Sequence, residues 1–341
     1  MSERSHTWAL VLAAGEGTRL RALTLAPSGT TVPKQFCSLY DGPSLLQEAL
    51  FRALAVAPES QTCAVVAQQH RRWWEGALRS LPAQNVIVQP QNRGTGIGIL
   101  LPLLEILARD VEARLVLLPS DHHVRDENLL TCAIGDALEQ LGWRERESLL
   151  LGLRPEEPDP ELGYIVPGTS DGRGALTVMR FVEKPSPMMA RELIAAGGLW
   201  NAFIVVSTGL ALLDLFLARV PEIVQAMRRA RDRDEAAHSS GAALAGLYEQ
   251  LPVVDFSRDI LAGQEGALRA LPVPPCGWTD LGTPKRVAEA LSRCPRPNGA
   301  SRARAGVGYL SLAEQHRRAL LAREPAERLR SVAGQGQLLH S

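Results

Sequence analysis

Cysteine is scarce: five in 341 residues (Cys37, Cys63, Cys132, Cys276 and Cys294), widely separated, odd in number and without a Cys-x-x-Cys pair. That excludes a zinc knuckle and a disulfide framework and suits a reduced cytosol. Charge of either sign is not in excess, with 37 basic residues against 37 acidic ones, so the chain is not built to wrap nucleic acid or to adhere to an anionic membrane. No apolar run is long enough to cross a bilayer without a charge, proline or glycine. The first such run meets glycine too soon to be a signal-peptide core. The expectation is a soluble, cytoplasmic protein. No Ser-His-Asp or Cys-His arrangement suggests itself, and the C-terminal tail carries no hexapeptide or other repeat.

What is present begins at Trp8. The apolar stretch Trp8 to Leu12 ends in Ala13-Ala14-Gly15-Glu16-Gly17-Thr18-Arg19-Leu20, with Pro33-Lys34-Gln35-Phe36 following. A buried strand that delivers a glycine loop brings backbone N–H groups close to a ligand, and two cations placed after it suit phosphate charge. Two familiar phosphate motifs are excluded. No third glycine completes a Rossmann fingerprint, and no Gly-Lys-Ser/Thr closes a P-loop.

With 45% apolar residues the chain can build one large α/β domain or two smaller ones. Short all-apolar strands at Cys63 to Ala67, Val86 to Val88 and Leu115 to Leu118 alternate with helical spacing at 46–54, 71–81, 99–108 and 129–141. This predicts an α/β fold with a Rossmann-like mixed, mainly parallel sheet covered by helices on both faces. The polar, glycine-rich stretch Gln89 to Gly98 reads as a connection. After Leu149 a hairpin pattern (Tyr164 to Val166, Leu176 to Val182) leads to Glu183-Lys184-Pro185, and a further strand runs from Leu199 to Val206. We place a catalytic domain at 1–293, in halves of about 1–150 and 151–293, and an Arg-rich linker with a helical tail, docked or partly disordered, at 294–341.

Ligands of such sheets bind outside the carboxyl ends of the strands. Arg19, Lys34, Asp121, Glu183, Lys184, Asn201 and Asp280 all fall at such ends. Asp121 and Asp280 suit a magnesium ion, which favours one or two carboxylates together with substrate phosphates. Each could singly be a helix cap, and His122 and His123 suit loop or supporting roles. The set fits nucleotidyl transfer, in which a phosphate oxygen attacks the α-phosphorus of a nucleoside triphosphate and pyrophosphate leaves. A phosphate monoester has a second pKa near ~6 and needs no general base at neutral pH. Catalysis can rest on positioning and charge neutralisation. Arg19 and Lys34 would stabilise pyrophosphate, and Lys184 would hold the attacking phosphate.

From about Trp8 to about Leu291 the sequence resembles the sugar-1-phosphate nucleotidyltransferases, most closely the bacterial mannose-1-phosphate guanylyltransferases. Leu12 to Leu20 with Pro33 to Phe36 is similar to the family's signature loop, Pro119-Ser120-Asp121-His122 to its metal motif, and Phe181-Val182-Glu183-Lys184-Pro185 to its sugar-phosphate motif. Trp200-Asn201 and Trp278-Thr279-Asp280-Leu281-Gly282 resemble two later motifs. The resemblance implies a nucleotide-diphospho-sugar transferase fold. It implies nucleotide contacts at Leu12, Ala13, Ala14, Gly15, Gly17, Thr18, Gln89, Asn92, Gly94 and Thr95, and sugar-phosphate contacts at Gly163, Glu183, Lys184 and Asn201. It also implies Mg2+ at Asp121 and Asp280, GTP and mannose 1-phosphate as favoured substrates, and a homodimer among the open assemblies. In two places the chain departs from the guanylyl branch. It has Asn92-Arg93-Gly94-Thr95-Gly96-Ile97 where that branch has Arg-Asn-Thr-Ala-Pro-Ala, and Ala202-Phe203 where Ser-Gly follows the asparagine. A thymidylyl- or uridylyltransferase acting on glucose 1-phosphate, or a non-catalytic nucleotide-sugar-binding regulatory module, remains open. The extended segment between Arg19 and Lys34 is expected to order over the triphosphate.

Overall fold

The computed structural model describes residues 6–26, 28–40, 42–142, 146–170, 172–237, 241–293 and 310–318. Packing divides the chain into two compact units, one of residues 1–15 and 46–278, the other of residues 16–45 and 279–341.

The first unit is built on one nine-stranded sheet: β1 (Thr7–Ala13), β2 (Thr62–Ala67), β3 (Val86–Gln89), β4 (Arg114–Pro119), β5 (Ser148–Leu153), β6 (Tyr164–Ser170), β7 (Leu176–Val182), β8 (Leu199–Thr208) and β9 (Leu268–Val273). Their order is β3-β2-β1-β4-β8-β5-β9-β7-β6, with β6 also pairing β8. β3, β2, β1 and β4 run parallel. In β1 the successive residues Ala9, Leu10 and Val11 are all fully buried, and since neighbours on a strand face opposite ways, both faces of the sheet are covered at β1. One layer comes from helix Gly94–Arg109, whose Ile97, Ile99, Leu100, Leu103 and Ile106 share a core with Leu10, Val65, Leu115 and Leu117.

The mixed sheet is the expected one, with a difference in its second half. β5 and β9 are parallel, but β8 pairs antiparallel with β4, β5 and β6, and β7 pairs antiparallel with β6 and β9. The parallel character is therefore concentrated near the N-terminal strands. A second difference concerns Gln89 to Gly98. The helix begins at Gly94 rather than near Ile99, because the N–H of Gly96 donates to the carbonyl of Val254 at 2.8 Å and a side chain at Gly94 would collide with that same carbonyl. Here the glycines mark a close approach of backbone to backbone, not a loop.

In the second unit the segment between Arg19 and Lys34 folds locally. Arg21–Thr24 makes a helical turn, Leu25 bridges Thr31, and the N–H of Val32 donates to the carbonyl of Thr24 at 2.8 Å. The C-terminal segment returns to this unit. Ser38 donates its N–H to Leu310 at 2.9 Å and accepts from Leu312 at 2.8 Å, while Ala313 donates to Leu39 at 3.1 Å. Leu312 is fully buried, and residues 312–318 are helical. The remainder of the expected tail, 294–309 and 319–341, lies outside the described residues.

Candidate active site

In the first unit the register of β1 with β4 sets Leu12 beside Pro119. Ser120 ties the strand ends together, its hydroxyl donating to the carbonyl of Leu12 at 2.7 Å and its N–H to the same oxygen at 3.3 Å. The start of the glycine loop, Leu12 to Gly15, and Asp121 are thereby placed side by side. Asp121 keeps 37% of its side chain exposed, with His122 Nε2 at 3.6 Å. The indole N–H of Trp278 donates to His122 Nδ1 at 3.2 Å, with the two rings edge to face. Indole can only donate, so in the neutral imidazole the proton resides on Nε2, the nitrogen facing Asp121. His123 faces Glu48, 3.4 Å away.

Farther along the sheet the residues expected to hold a sugar phosphate converge. Asn201 donates its N–H to the carbonyl of Gly163 at 2.8 Å. A Cβ on Gly163 would lie 2.6 Å from Glu183 Oε2 and 3.4 Å from Asn201 Cβ, so only glycine admits both side chains. Lys184 is exposed, at the end of β7.

Among the described residues three non-glycines have positive φ: Lys184 (46°), Phe203 (56°) and Leu281 (48°). Lys184 and Leu281 belong to expected motifs, and Phe203 lies two residues after Asn201, where the chain departs from the family pattern. Phe203 is held by its N–H donating to Asn201 Oδ1 at 3.1 Å, and Leu281 by its N–H donating to Thr279 Oγ1 at 3.2 Å. Such conformations cost on the order of 1–3 kcal/mol each and persist where the surroundings over-determine them, which they do most often at functional sites.

The nucleotide-contacting stretch is only partly presented. Asn92 and Thr95 are exposed, and Thr95 Oγ1 accepts from the Phe256 N–H at 2.8 Å. Asn92 Oδ1 accepts from the Gly94 N–H at 3.0 Å, closing a tight turn. Gln89, by contrast, is 1% exposed and accepts from the Tyr248 hydroxyl at 3.4 Å. It supports the helix start from inside the core.

The second unit gathers cations around one carboxylate. Gly17 packs directly on Lys34, since a Cβ there would lie 2.8 Å from the Lys34 backbone nitrogen. Lys34 is buried, and its Nζ donates to the main-chain oxygen of Asp280 at 2.5 Å. Arg19, half exposed, lies 4.0 Å from Asp280 Oδ2. The side chain of Asp280 is 7% exposed, and its Oδ1 accepts from the Arg286 guanidinium and from the Gly282 N–H, the latter at 2.9 Å. Beside Lys34, burial pushes the Cys37 thiol up to about 12 against the opposing charge of Lys34.

Arg286 is the residue that sequence reading passed over. It sits in the first turn of helix Pro284–Arg293, where a cation opposes the helix dipole, and that misplacement was a signal that an anion lay nearby. The donor chemistry for magnesium differs between the two expected ligands. Asp121, exposed and oxygen-bearing, fits a hydrated ion completed by phosphate oxygens. Asp280 stands in an ion pair. Among the described residues no three His, Cys, Asp or Glu side chains gather into a metal cluster.

The mixed sheet of the first unit is of the α/β class that takes ligands outside the carboxyl ends of its strands. The chain matches the nucleotidyl transferase family over residues 8–295 and belongs to that family. It is 29% identical over 283 residues to the xanthan biosynthesis protein XanB of Xanthomonas campestris, covering 80% of this chain and 57% of that protein. It is 28% identical over 281 residues to the alginate biosynthesis protein AlgA of Pseudomonas aeruginosa, covering 80% and 56%. The chain thus spans little more than half the length of these relatives. A Thermus thermophilus structure described as a mannose-1-phosphate geranyltransferase aligns with a TM-score of 0.71 at 27% identity, covering 86% of this chain and 81% of that one.

Proposed function

We propose that this chain transfers a nucleotidyl group from a nucleoside triphosphate, GTP first, to a sugar 1-phosphate, mannose 1-phosphate first, releasing pyrophosphate and a nucleoside-diphosphate sugar. The observation that carries the reading is backbone strain at Lys184 and Leu281, inside two of the expected motifs, and at Phe203, two residues after Asn201. A generic sheet protein has no need of that strain at those places. The named relatives, in xanthan and alginate biosynthesis, agree with a product destined for polysaccharide.

In this reading Lys184 holds the attacking phosphate dianion, which needs no base. Gly163, Glu183 and Asn201 shape the sugar's place, and the backbone from Leu12 to Gly15 borders the nucleotide. Arg19 and Lys34 receive charge as pyrophosphate departs. Magnesium, held by Asp121, would neutralise phosphate charge when bound. Residues 1–293 form the catalytic domain, and the protein works in the cytoplasm.

The test is pyrophosphate release from the protein with magnesium, a panel of sugar 1-phosphates and each of GTP, dTTP and UTP. GTP with mannose 1-phosphate should give the highest kcat/KM. Equal rates with dTTP or UTP would remove the guanylyl preference and leave the reaction class, whereas no release with any pair would favour a regulatory binding module.

A further inference from the structure

Two guanidinium groups of the second unit face the Asp280 carboxylate, Arg19 at 4.0 Å and Arg286 in direct contact. The Arg286 side chain is 10% exposed and that of Asp280 7%, so the pair is shielded from water on both sides. Removing one member of such a pair leaves the other as an uncompensated buried charge. The contact falls on Oδ1, which also takes the Gly282 N–H. A divalent ion approaching Asp280 must therefore compete with a guanidinium already seated on the same oxygen.

We propose that Arg286 is the resident counter-cation of Asp280 and that, in the free protein, it keeps divalent metal off this carboxylate. Only the identity of the metal rests on the function proposed above; the pairing is a property of the fold. Arg286 is a positioning residue. The Asp280 that it clamps also accepts from Lys34 Nζ through its main-chain oxygen, so the ion pair and the seat of Lys34 share one residue.

The experiment measures Mn2+ binding to the full chain without nucleotide, by water-proton relaxation or by the EPR signal of free Mn2+. Arg286→Gln, which uncovers Oδ1 and leaves the buried carboxylate without its partner, should bind Mn2+ about tenfold more tightly than the unaltered protein, on the scale of outer-shell effects on metal sites. Arg286→Lys, which retains a cation, should stay near the unaltered value. Asp280→Asn should leave Mn2+ affinity within about twofold of it, and Asp121→Asn should lower it. Should Arg286→Gln fail to fold, the Asp280→Asn and Asp121→Asn pair still decides the matter. The proposal is overturned if Arg286→Gln binds no more tightly than the unaltered protein, if Arg286→Lys gains as much as Arg286→Gln, or if Asp280→Asn loses as much affinity as Asp121→Asn. Pyrophosphate release is scored separately. A protein inactive on every sugar phosphate but showing the Arg286→Gln gain defeats the functional reading alone, and the reverse result defeats only this one.

Discussion

Asp121 and Asp280 belong to motifs that suggest the same task, yet their surroundings are opposite. Asp121 stands at the end of a parallel strand with over a third of its side chain in solvent and an imidazole 3.6 Å away. Asp280 is nearly closed off, and its charge is met by Arg286 and by backbone N–H before any ligand arrives. A carboxylate kept in water retains its charge for an incoming partner at little cost to the fold. A carboxylate buried against a guanidinium holds the fold in place and is costly to disturb. Two acids of the same type thus differ in their surroundings, one open to solvent and the other held in a buried ion pair.

The largest effect expected from this contrast is on stability. Asp280→Ala strands the buried Arg286 guanidinium and should cost about 3–5 kcal/mol, measured by urea unfolding; a loss no larger than that of Asp121→Ala would erase the distinction. Asp121→Asn should do the converse. Its turnover should fall about a hundredfold while its thermal midpoint stays at the unaltered value, and a shifted midpoint would make Asp121 a structural acid as well. A smaller change is expected from Trp278→Phe, which removes the N–H that fixes the His122 tautomer. Turnover should drop by about tenfold, as for other groups that orient a site from behind, and an unchanged rate would confine His122 to packing.

The smallest effect concerns Cys37, beside Lys34. With its thiol held near 12, against an ordinary 9.0, it should stay unmodified by iodoacetamide at pH 8.5 in the folded protein, as read by mass spectrometry. The same shift has a pH consequence. The folded state keeps this proton where the unfolded chain has released it, so the contribution to stability is whole below pH 9 and declines as pH rises toward 12. Rapid alkylation would show that the surroundings of Lys34 are more open than those of Asp280.

Much of this was legible in the chain itself. The glycine loop, Asp121, Glu183 and Lys184 could be placed because apolar runs reveal strands and the end of a strand is a local property, whereas Asn201, expected at a strand end, lies near the start of β8. The exchange between β8 and its three antiparallel neighbours could not, since pairing partners far apart in sequence leave no periodic trace. Gly94 and Gly96 misled for a related reason. A glycine that allows Val254 to approach has the same sequence appearance as one that makes a turn. Gln89 is polar in sequence and internal in space because Tyr248 satisfies it. Arg286 depended on a contact between a loop and the helix that follows it, and only its unfavourable place in the first helical turn hinted at the anion it serves.

The pairing of Ser38 with Leu310 and Leu312 also bears on the order in which the molecule is made. The second unit is knit from segments far apart in sequence, so on a growing polypeptide the residues around Ser38 cannot complete their contacts until Leu310 and Leu312 have been made. The nine-stranded sheet can form first, from contacts within one continuous stretch together with the opening strand. Contacts between such distant segments are the slowest to close, and domains assemble as their chains emerge. The seat of Lys34 and Asp280 is therefore expected to acquire its shape after the sheet, and activity on refolding to lag behind recovery of the sheet.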